Sequence, residues 1–467
     1  MSELKSDKKS SGLDSKLNIK YNLLSKIKYL QEIRHEIKKK RILLDENKDR
    51  FGLDEMSQLV KVKNTSEVKG YPFKAHKDEL FSKTKGIKFG IKIVPIETKY
   101  EKYEHPCNLE NLVLKDLTDN IILKNISPHI TFYLGVQKVS NKSRSIKMLN
   151  LKRLEVEEKI RSHSNMLISE FVESGSLDNW VFNTYENDEE ISDEQWKYIT
   201  FQLIYTIAIM QHYYKMMHND FHYGNILIDT SIEPVGYLVY QVNNKTYYLK
   251  NTGVIPKAWD LEFSMVYSNK IPDCYPNKFI TGPYTYDKKL HKTIVSEKEK
   301  LEEEGDESFN VPYNYNEVYD LHYFLTSLLD LYISQDLFDW ILKLYPSELI
   351  PEDDSTTNSG TTTTDSKSSI SSTTFTATLS DTSSIVDTDT TNTTNTTDTN
   401  DTTDNSTHTE NEPVKKYLSE GRLINGIENE FKLPNPIDLL NDPFFECLTI
   451  KPSDFNENEA IYFKAGF

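Results

Sequence analysis

Apolar residues near the start of the chain recur at steps of three and four, from about residue 17 to residue 47. This spacing predicts an amphipathic helix, and its apolar positions are Leu23, Ile27, Leu30, Ile33 and Ile37. A basic run at residues 38–41 follows. We expect a helix packed on the main domain or a partner helix with a solvated basic face; a localisation signal or membrane-surface contact is the alternative. Residues 1–16 are polar and are expected to be disordered.

The next part of the chain, residues 56–173, alternates short apolar segments with polar loops. Every second residue between positions 87 and 93 is apolar, and this period of two is typical of a strand. Residues 130–136 and 166–172 predict two further strands, and residues 108–124 predict a helix.

Helical periodicity dominates after that. Residues 194–216 predict a long amphipathic helix, and residues 316–344 are also helical and apolar. Between them, residues 235–242 and 245–249 flank Asn243 and Asn244. Asn tolerates positive φ, so this pattern predicts a β-hairpin. A strand-rich half followed by a helix-rich half predicts an α+β fold.

Composition narrows the classes of function. The 467 residues carry 55 Lys and Arg against 72 Asp and Glu, a net charge of -17, which argues against a dedicated nucleic-acid binder. The cysteines Cys107, Cys274 and Cys447 have no metal-ligand spacing, so neither a zinc site nor a disulfide framework is expected. A signal peptide and a membrane-spanning apolar run are also missing from the sequence, which predicts a soluble intracellular protein.

One segment differs sharply from the rest in composition. Residues 352–412 consist mostly of Thr, Ser, Asp and Asn, with few apolar side chains. Such a stretch cannot bury enough apolar surface to offset its ordering entropy, so we expect a disordered insertion.

The strongest chemical signal is at residues 218–228, which read HNDFHYGNILI. Asp220 and Asn225 lie five positions apart before an apolar run, and phosphoryl transfer needs such a pair. The Asp accepts or orients the proton of an attacking hydroxyl, and the Asn holds Mg²⁺. The segment matches the H-R-D-L-x-x-x-N catalytic loop, with His218 first and Asn219 in place of the Arg. The chain therefore resembles the protein-kinase superfamily, and most of all the divergent kinase-like proteins of giant DNA viruses.

The resemblance implies an ATP-binding lysine and a partner glutamate. Residues 89–94, FGIKIV, are similar to the V-A-I-K strand, which makes Lys92 the candidate for the α- and β-phosphates, with Lys88 as competitor. The matching glutamate on the following helix is Glu110; Glu101 and Glu104 are alternatives.

Further site residues follow from the same resemblance. Asp260 takes the place of the D-F-G Asp and would bind Mg²⁺ with Asn225, while Glu262 replaces the usual Gly. Residues 166–177 resemble a hinge, in which the backbone of Glu170 and Val172 would bind adenine and Ser169 would be the gatekeeper; the alternative is an ordinary strand end and turn. His222 lies where Ser/Thr kinases usually carry a Lys that meets the γ-phosphate; the alternative is a His that packs the loop.

Several departures from the family pattern are visible. No G-x-G-x-x-G precedes Lys92, so an irregular loop such as residues 70–86 would cover the phosphates; the alternative is that they are poorly covered. No A-P-E follows Asp260, and Asn219 replaces the Arg that would bind an activation-loop phosphate, so control by that phosphate is not expected. Either Glu317 or Asp320 could be the buried acid of the large central helix.

The resemblance predicts a two-lobed fold, with an N-terminal helical extension (1–55), an N-lobe (56–173), a C-lobe (174–351 and 413–467) and the insertion (352–412). The predicted function is an ATP- and Mg-dependent kinase that phosphorylates Ser or Thr of proteins. A pseudokinase that serves as a binding module and a small-molecule kinase of the aminoglycoside- or choline-kinase type are the alternatives. The oligomeric state stays open.

Overall fold

The computed structural model describes residues 20–39, 58–61, 71–76, 88–97, 106–140, 160–172, 174–271, 285–287, 292–294, 314–345, 418–419, 422–423 and 431–466. The helices are α1 (Leu23–Lys39), α2 (Pro106–Leu117), α3 (Leu177–Glu186), α4 (Asp193–Tyr214), α5 (Tyr319–Leu328), α6 (Gln335–Lys343) and α7 (Pro436–Leu440). The strands are β1 (Gln58–Lys61), β2 (Tyr71–His76), β3 (Lys88–Glu97), β4 (Tyr133–Ser140), β5 (Ile160–Glu170), β6 (Met216–Met217), β7 (Ile226–Asp229), β8 (Tyr237–Val242), β9 (Lys245–Lys250), β10 (Ile255–Ala258), β11 (Met265–Val266), β12 (Thr285–Asp287), β13 (Lys292–Ile294), β14 (Leu418–Ser419), β15 (Arg422–Leu423) and β16 (Ala460–Lys464). This mixture agrees with the predicted α+β class.

Five strands form one antiparallel sheet in the order β1-β2-β3-β5-β4. In the central pair, Gly90 of β3 lies opposite Ser169 of β5. A Cβ at position 90 would lie 2.9 Å from the Ser169 Oγ and 3.0 Å from the Glu170 carbonyl oxygen. The two strands can approach this closely because Gly90 has no side chain. The pairing of β3 with β5 places Lys92 opposite Leu167, in the middle of the sheet.

The longest helix among the described residues, α4, is buried on nearly all sides. A helix that is apolar around its whole circumference belongs in a core rather than at a surface. Its N-terminus is capped by Ser192, whose side chain accepts a hydrogen bond from the Gln195 N–H, and it ends at Lys215 in the left-handed region, with φ 46°. The chain then passes directly into residues 216–229, so α4 supports the segment that contains Asp220 and Asn225.

Smaller sheets extend from the same core. β7 pairs with β10 in antiparallel register, and this pairing places Ile226 opposite Ala258. β8 and β9 form the predicted hairpin, with Asn243 at φ 53°, and β16 joins β8 in parallel. The β7–β10 pair positions two of the predicted site residues, because the segments with Asn225 and Asp260 adjoin its two strands.

The apolar positions predicted for the N-terminal helix are buried in α1. The helix packs on β4, and the Arg34 guanidinium makes two hydrogen bonds to Asp119, at 2.6 and 3.2 Å. At its other end the Lys26 ammonium lies 2.5 Å from the Asp229 carboxylate. Of the two expected arrangements, the one observed is therefore a helix packed on the rest of the described structure.

Some element boundaries differ from the sequence predictions for identifiable reasons. The helix predicted at 108–124 ends at Leu117 and continues as a π turn, Thr118–Ile122, where the Thr118 side chain accepts a hydrogen bond from the Tyr133 N–H at 3.0 Å. The strand predicted at 130–136 starts at Tyr133 instead, because Ile130 makes an isolated bridge with Ala258. The helix predicted at 316–344 is two helices, α5 and α6.

Other predictions fall partly or wholly outside the described residues. The insertion at 352–412, residues 1–16, Glu101 and Glu104 all lie outside them. Of the predicted irregular loop at 70–86, residues 71–76 form β2, which corrects that part of the prediction. The described residues belong to one unit, made of Met1–Ile350 and Lys415–Phe467. No helix in the described part of the chain is both long and apolar enough to cross a bilayer.

The ion pair at the start of α1 predicts acid sensitivity. Burial tends to raise the pKa of Asp229, but Lys26 and Lys257 outweigh it and lower that pKa to about 2. A lowered carboxylate pKa stabilises the fold above the ordinary value of 3.8, and the contribution is lost as the pH falls toward about 2. In urea denaturation we expect Asp229→Asn to be less stable than wild type by about 2 kcal/mol near neutrality. The difference should shrink steadily below about pH 4; a difference independent of pH would contradict this account.

Candidate active site

The loop that contains Asp220 is shaped by a buried carboxylate on α5. Asp320 is fully buried and accepts hydrogen bonds from two successive backbone N–H groups, those of His218 at 2.6 Å and Asn219 at 2.8 Å. Two charge-assisted bonds to one carboxylate hold this turn of the backbone in place. Glu317, the other acid that the sequence left open, is exposed.

Asp220 and Asn225 are in direct contact. The Asn225 Nδ2 donates to the Asp220 Oδ2 at 2.7 Å and to the Asp220 carbonyl oxygen at 3.0 Å. The Asp220 side chain stays partly accessible, with 15% of its surface exposed. Because the amide nitrogen of Asn225 faces Asp220, its amide oxygen is the atom left to coordinate a cation.

His218 and Asn219 connect this loop to the segment around Asp260. The His218 Nε2 donates to the Trp259 carbonyl oxygen at 2.9 Å, and burial lowers the pKa of His218. The ring is therefore neutral at physiological pH, and its hydrogen bond connects the two segments in the interior. Asn219 adopts φ 65°, and its Nδ2 donates to the Phe263 carbonyl oxygen at 2.8 Å. An Asn at this position suits the left-handed backbone, which is unfavourable for most other side chains.

His222 lies beside Asp220 and also packs the loop. Its Nε2 is 3.9 Å from the Asp220 Oδ2, and 28% of its side chain is exposed. Its Nδ1 accepts a hydrogen bond from the Gly224 N–H at 3.2 Å, and its ring lies against Tyr323. The position of His222 is therefore compatible with both interpretations from the sequence: its Nδ1 side packs the loop, and its partly exposed Nε2 side could meet a phosphate.

Lys92 is the centre of a buried cluster of charges. Its Nζ lies 2.5 Å from Asp260, 2.9 Å from Glu110 and 3.4 Å from Glu262, and its side chain is 2% exposed. Burial tends to lower the pKa of Lys92, but the three carboxylates raise it well above its ordinary value. Lys92 is therefore a permanent cation. The side chain of its competitor Lys88 lies outside the described residues.

The three carboxylates share this single ammonium group. The pKa of Glu110 rises to about 7, first because the group is buried and then because Asp260 and Glu262 repel its charge, although Lys92 opposes both effects. If all three carboxylates were ionised, the negative charges would exceed the positive charge by two. The site therefore attracts a proton or a further cation.

Asp260 adopts a left-handed backbone, with φ 62°, and its side chain is 21% exposed. The neighbouring Trp259 places its ring 5.7 Å from the Lys92 Nζ, a distance at which a cation–π attraction operates. Glu262, which stands where the family pattern has Gly, is buried. The side chain of Glu262 therefore faces the lysine from the same short turn, Leu261–Phe263, that follows Asp260.

Glu262 adds repulsion to the site, which predicts a pH-dependent effect of its removal. A raised pKa of Glu110 means that its contribution to stability is present below the ordinary value of 4.5 and is lost as the pH rises through about 7. Glu262→Gln removes part of that repulsion, so we expect a gain of about 1 kcal/mol above neutrality that fades below it. Thermal denaturation across this pH range measures it. A loss of stability at high pH would show that Glu262 is needed as a partner of Lys92.

The predicted hinge contains the buried carboxylate of Glu170, whose side-chain contacts the sequence did not predict. The Glu170 Oε1 accepts hydrogen bonds from the Phe132 N–H at 2.8 Å and the Lys257 Nζ at 2.7 Å. The Glu170 N–H donates to the Phe132 carbonyl oxygen at 2.9 Å, and the Glu170 carbonyl oxygen accepts from the Ser169 hydroxyl at 3.2 Å. Val172 is buried. The backbone of Glu170 thus has protein partners, and adenine binding by Glu170 and Val172 stays a prediction.

The donor atoms gathered here suit a hard divalent cation. The Asn225 amide oxygen and the Asp260 carboxylate are oxygen ligands of the kind that Mg²⁺ prefers. Among the described residues, Glu110, Asp260 and Glu262 also bring ligand oxygens within 4.8 Å of one another. The Lys92 ammonium is bonded to all three, so the residues fit a cation best on the accessible side of Asp260.

Comparison with known proteins gives two relatives. The chain is 22% identical over 311 residues to a protein of Acanthamoeba polyphaga mimivirus described as a "putative serine/threonine-protein kinase", covering 60% of this chain and 59% of the relative. It is 36% identical over 75 residues to a "probable serine/threonine-protein kinase" of Dictyostelium discoideum, covering 16% of this chain and 6% of the relative. No family model matches.

The matched regions thus span little more than half of the viral relative and a small part of the amoebal one. Even so, both relatives carry kinase names, and the resemblance suggested by residues 218–228 is confirmed. The chain is weakly similar to two proteins that are named as serine/threonine kinases, one of them from a giant DNA virus, and this similarity supports a kinase-like relation.

Proposed function

We propose that this protein is an ATP- and Mg²⁺-dependent protein kinase that transfers the γ-phosphate of ATP to Ser or Thr hydroxyls. The observation that carries the proposal is that two groups of residues occur in one site. In the first group, Lys92 is paired with Glu110 and Asp260, and in the second, Asn225 is hydrogen-bonded to Asp220. His218 joins the two groups, since it extends from the loop of Asp220 to the carbonyl of Trp259, next to Asp260. Phosphoryl transfer requires these parts together: a cation for the phosphates, oxygen ligands for a metal, and a positioned base.

In this mechanism the Asp220 carboxylate accepts or orients the proton of the attacking hydroxyl. Lys92 binds the oxygens of the α- and β-phosphates, and Glu110 keeps its ammonium in place. Asn225 and Asp260 would hold Mg²⁺, which when bound neutralises charge that develops on the phosphates. His222, beside Asp220, can donate a hydrogen bond to a phosphate oxygen.

The same proposal includes a two-lobed arrangement. The five-stranded sheet and α2 supply Lys92 and Glu110, while the helices from α3 onward support Asp220, Asn225 and Asp260. Adenine would lie at the end of β5, against the backbone of Glu170 and Val172. The substrate would be a protein with a Ser or Thr acceptor.

Phosphate transfer by the purified full chain tests the proposal. With radiolabelled ATP and Mg²⁺, we expect label in the protein itself or in a generic protein substrate, and no transfer after Mg²⁺ is chelated. A Mg²⁺-dependent shift of the melting temperature by ATP is a quicker first measurement. ATP binding without turnover would replace this function by that of a pseudokinase.

One observation favours a small-molecule kinase as the second candidate. His222 lies 3.9 Å from Asp220, at the position where protein kinases usually carry a lysine. Enzymes of the aminoglycoside- and choline-kinase type have His there, as do haspin-like kinases. Assays with aminoglycosides and choline beside the protein substrates separate the two: transfer to the small molecules alone would favour this second function.

A further inference from the structure

Four buried side chains of alternating charge connect α1 with β5, β7 and β10. The Lys26 Nζ lies 2.5 Å from the Asp229 Oδ2 and 3.5 Å from the Glu170 Oε2, and the Lys257 Nζ lies 2.7 Å from the Glu170 Oε1. None of the four side chains is more than 9% exposed. Two ammonium groups balance two carboxylates, so the network is neutral as a whole.

The two carboxylates of this network stand at the ends of two strands that matter for the proposed site. Glu170 is the last residue of β5, and Val172 follows it by two positions. Asp229 is the last residue of β7, which begins directly after Asn225. A single side chain of α1 therefore contacts both the strand end proposed for adenine and the strand that leaves the catalytic loop.

Further contacts hold α1 against the segment that follows β7 and against the region between α2 and β4. The Tyr21 N–H donates to the Ser231 carbonyl oxygen at 2.8 Å, and the Lys26 Nζ also donates to the Ser231 hydroxyl at 3.0 Å. Farther along, Arg34 binds Asp119, two residues after α2 ends, and lies over the Tyr133 ring at 5.2 Å. Because α2 carries Glu110, α1 contacts elements that contribute both to the group of residues around Lys92 and to the group around Asp220.

We infer that Lys26 is a positioning residue for nucleotide binding, because its ammonium group holds the end of β5 next to the end of β7. Glu170 lies between two lysines: Lys257 holds it to β10, and Lys26 connects it to Asp229. Burial would lower the pKa of Lys26, but Asp229 and Glu170 outweigh that effect and raise it, so the linking charge persists at all physiological pH values. The inference rests on the proposed function for the identity of the ligand, and on the buried network for the role of α1.

The test compares four variants of the full chain. Lys26→Met leaves Asp229 without its nearest cation, and we expect the KM for ATP to rise about tenfold while kcat changes about twofold or less. Lys28→Met, in the exposed part of the same helix, is the matched control and should behave as wild type. Lys26→Arg keeps the charge and should recover most of the ATP affinity.

The fourth variant separates positioning from stability. Lys26→Met with Asp229→Asn restores neutrality in the buried network, so its melting temperature should return toward that of wild type. The link between β5 and β7 is still missing, so the KM for ATP should remain high. A KM that recovers together with the melting temperature would show a purely structural role and overturn the inference. A Lys26→Met protein with the ATP affinity of wild type would overturn it as well.

A readout without turnover keeps this result distinct from a failure of the proposed kinase activity. Hydrogen exchange of the nucleotide-free protein should become faster in Lys26→Met and in the double variant, both at residues 166–172 and at 226–229. If wild type transfers no phosphate, the proposed function fails, and this measurement still decides the role of Lys26. Unchanged exchange at both segments would refute it.

Discussion

Asp220→Asn should lower kcat for phosphate transfer by about a thousandfold or more, with little change in ATP affinity. The substitution keeps the size of the side chain, and its amide oxygen can still accept the hydrogen bond that Asn225 donates to Asp220 at 2.7 Å. What it removes is a carboxylate that can accept a proton. Single-turnover measurements with saturating ATP isolate this step from binding and product release.

The matched control is Asp339→Asn, which changes an exposed carboxylate on α6 in the same way. It should retain the activity and stability of wild type. An Asp220→Asn protein with more than about a tenth of the wild-type kcat would exclude Asp220 as the base, since general base catalysis contributes at least about a hundredfold. Equal ATP-dependent melting shifts in wild type and variant would verify that binding persists.

The largest loss of stability is expected from Lys92→Met. Methionine fills a similar volume but leaves Glu110, Asp260 and Glu262 facing one another without their shared cation. Removing one partner from a buried ion pair costs about 3–5 kcal/mol, and here three carboxylates lose the same partner. Phosphate transfer should also disappear, because the proposed contact with the α- and β-phosphates is lost. Urea denaturation measures the stability, and transfer from ATP measures the activity.

The loss should depend on pH in a defined direction. At low pH the carboxylates can take up protons, which removes their repulsion, so Lys92→Met should approach wild-type stability on acidification. Lys115→Met, at a side chain that is 53% exposed, provides the control and should change the free energy of unfolding very little. A Lys92→Met protein as stable as this control near neutrality would contradict the proposed balance of charge.

Much of the fold follows from local patterns in the sequence. The helix predicted at 194–216 is observed as α4, because its apolar residues and its Ser192 cap are local features. The hairpin around Asn243 forms as predicted, since Asn accepts the positive φ that the turn requires. The end of α2 at Leu117 could not be predicted from the sequence, because it depends on a tertiary contact: the Thr118 hydroxyl accepts a hydrogen bond from the backbone N–H of Tyr133.

Some residues of the candidate site could likewise be predicted from local sequence, and others could not. Asp220 and Asn225 could be found from their spacing, because both lie on one short loop and contact each other. A choice between Glu317 and Asp320 could not be made, since both are acids near the start of one helix. Burial decides it: Asp320 is enclosed beneath the loop, whereas Glu317 is exposed.

The sequence alone thus determined the types of residue that the proposed chemistry needs and their order along the chain, since motif spacing is a local property. The resemblance also implied the pair of Lys92 and Glu110, but only the tertiary structure decided which further charges share a site. It brought Glu110, Asp260 and Glu262 around Lys92, and it joined Lys26 to Glu170 and Asp229, more than a hundred residues away. A lone lysine or glutamate carries no local signal of its partner, because the pairing arises when distant segments pack together and exclude water.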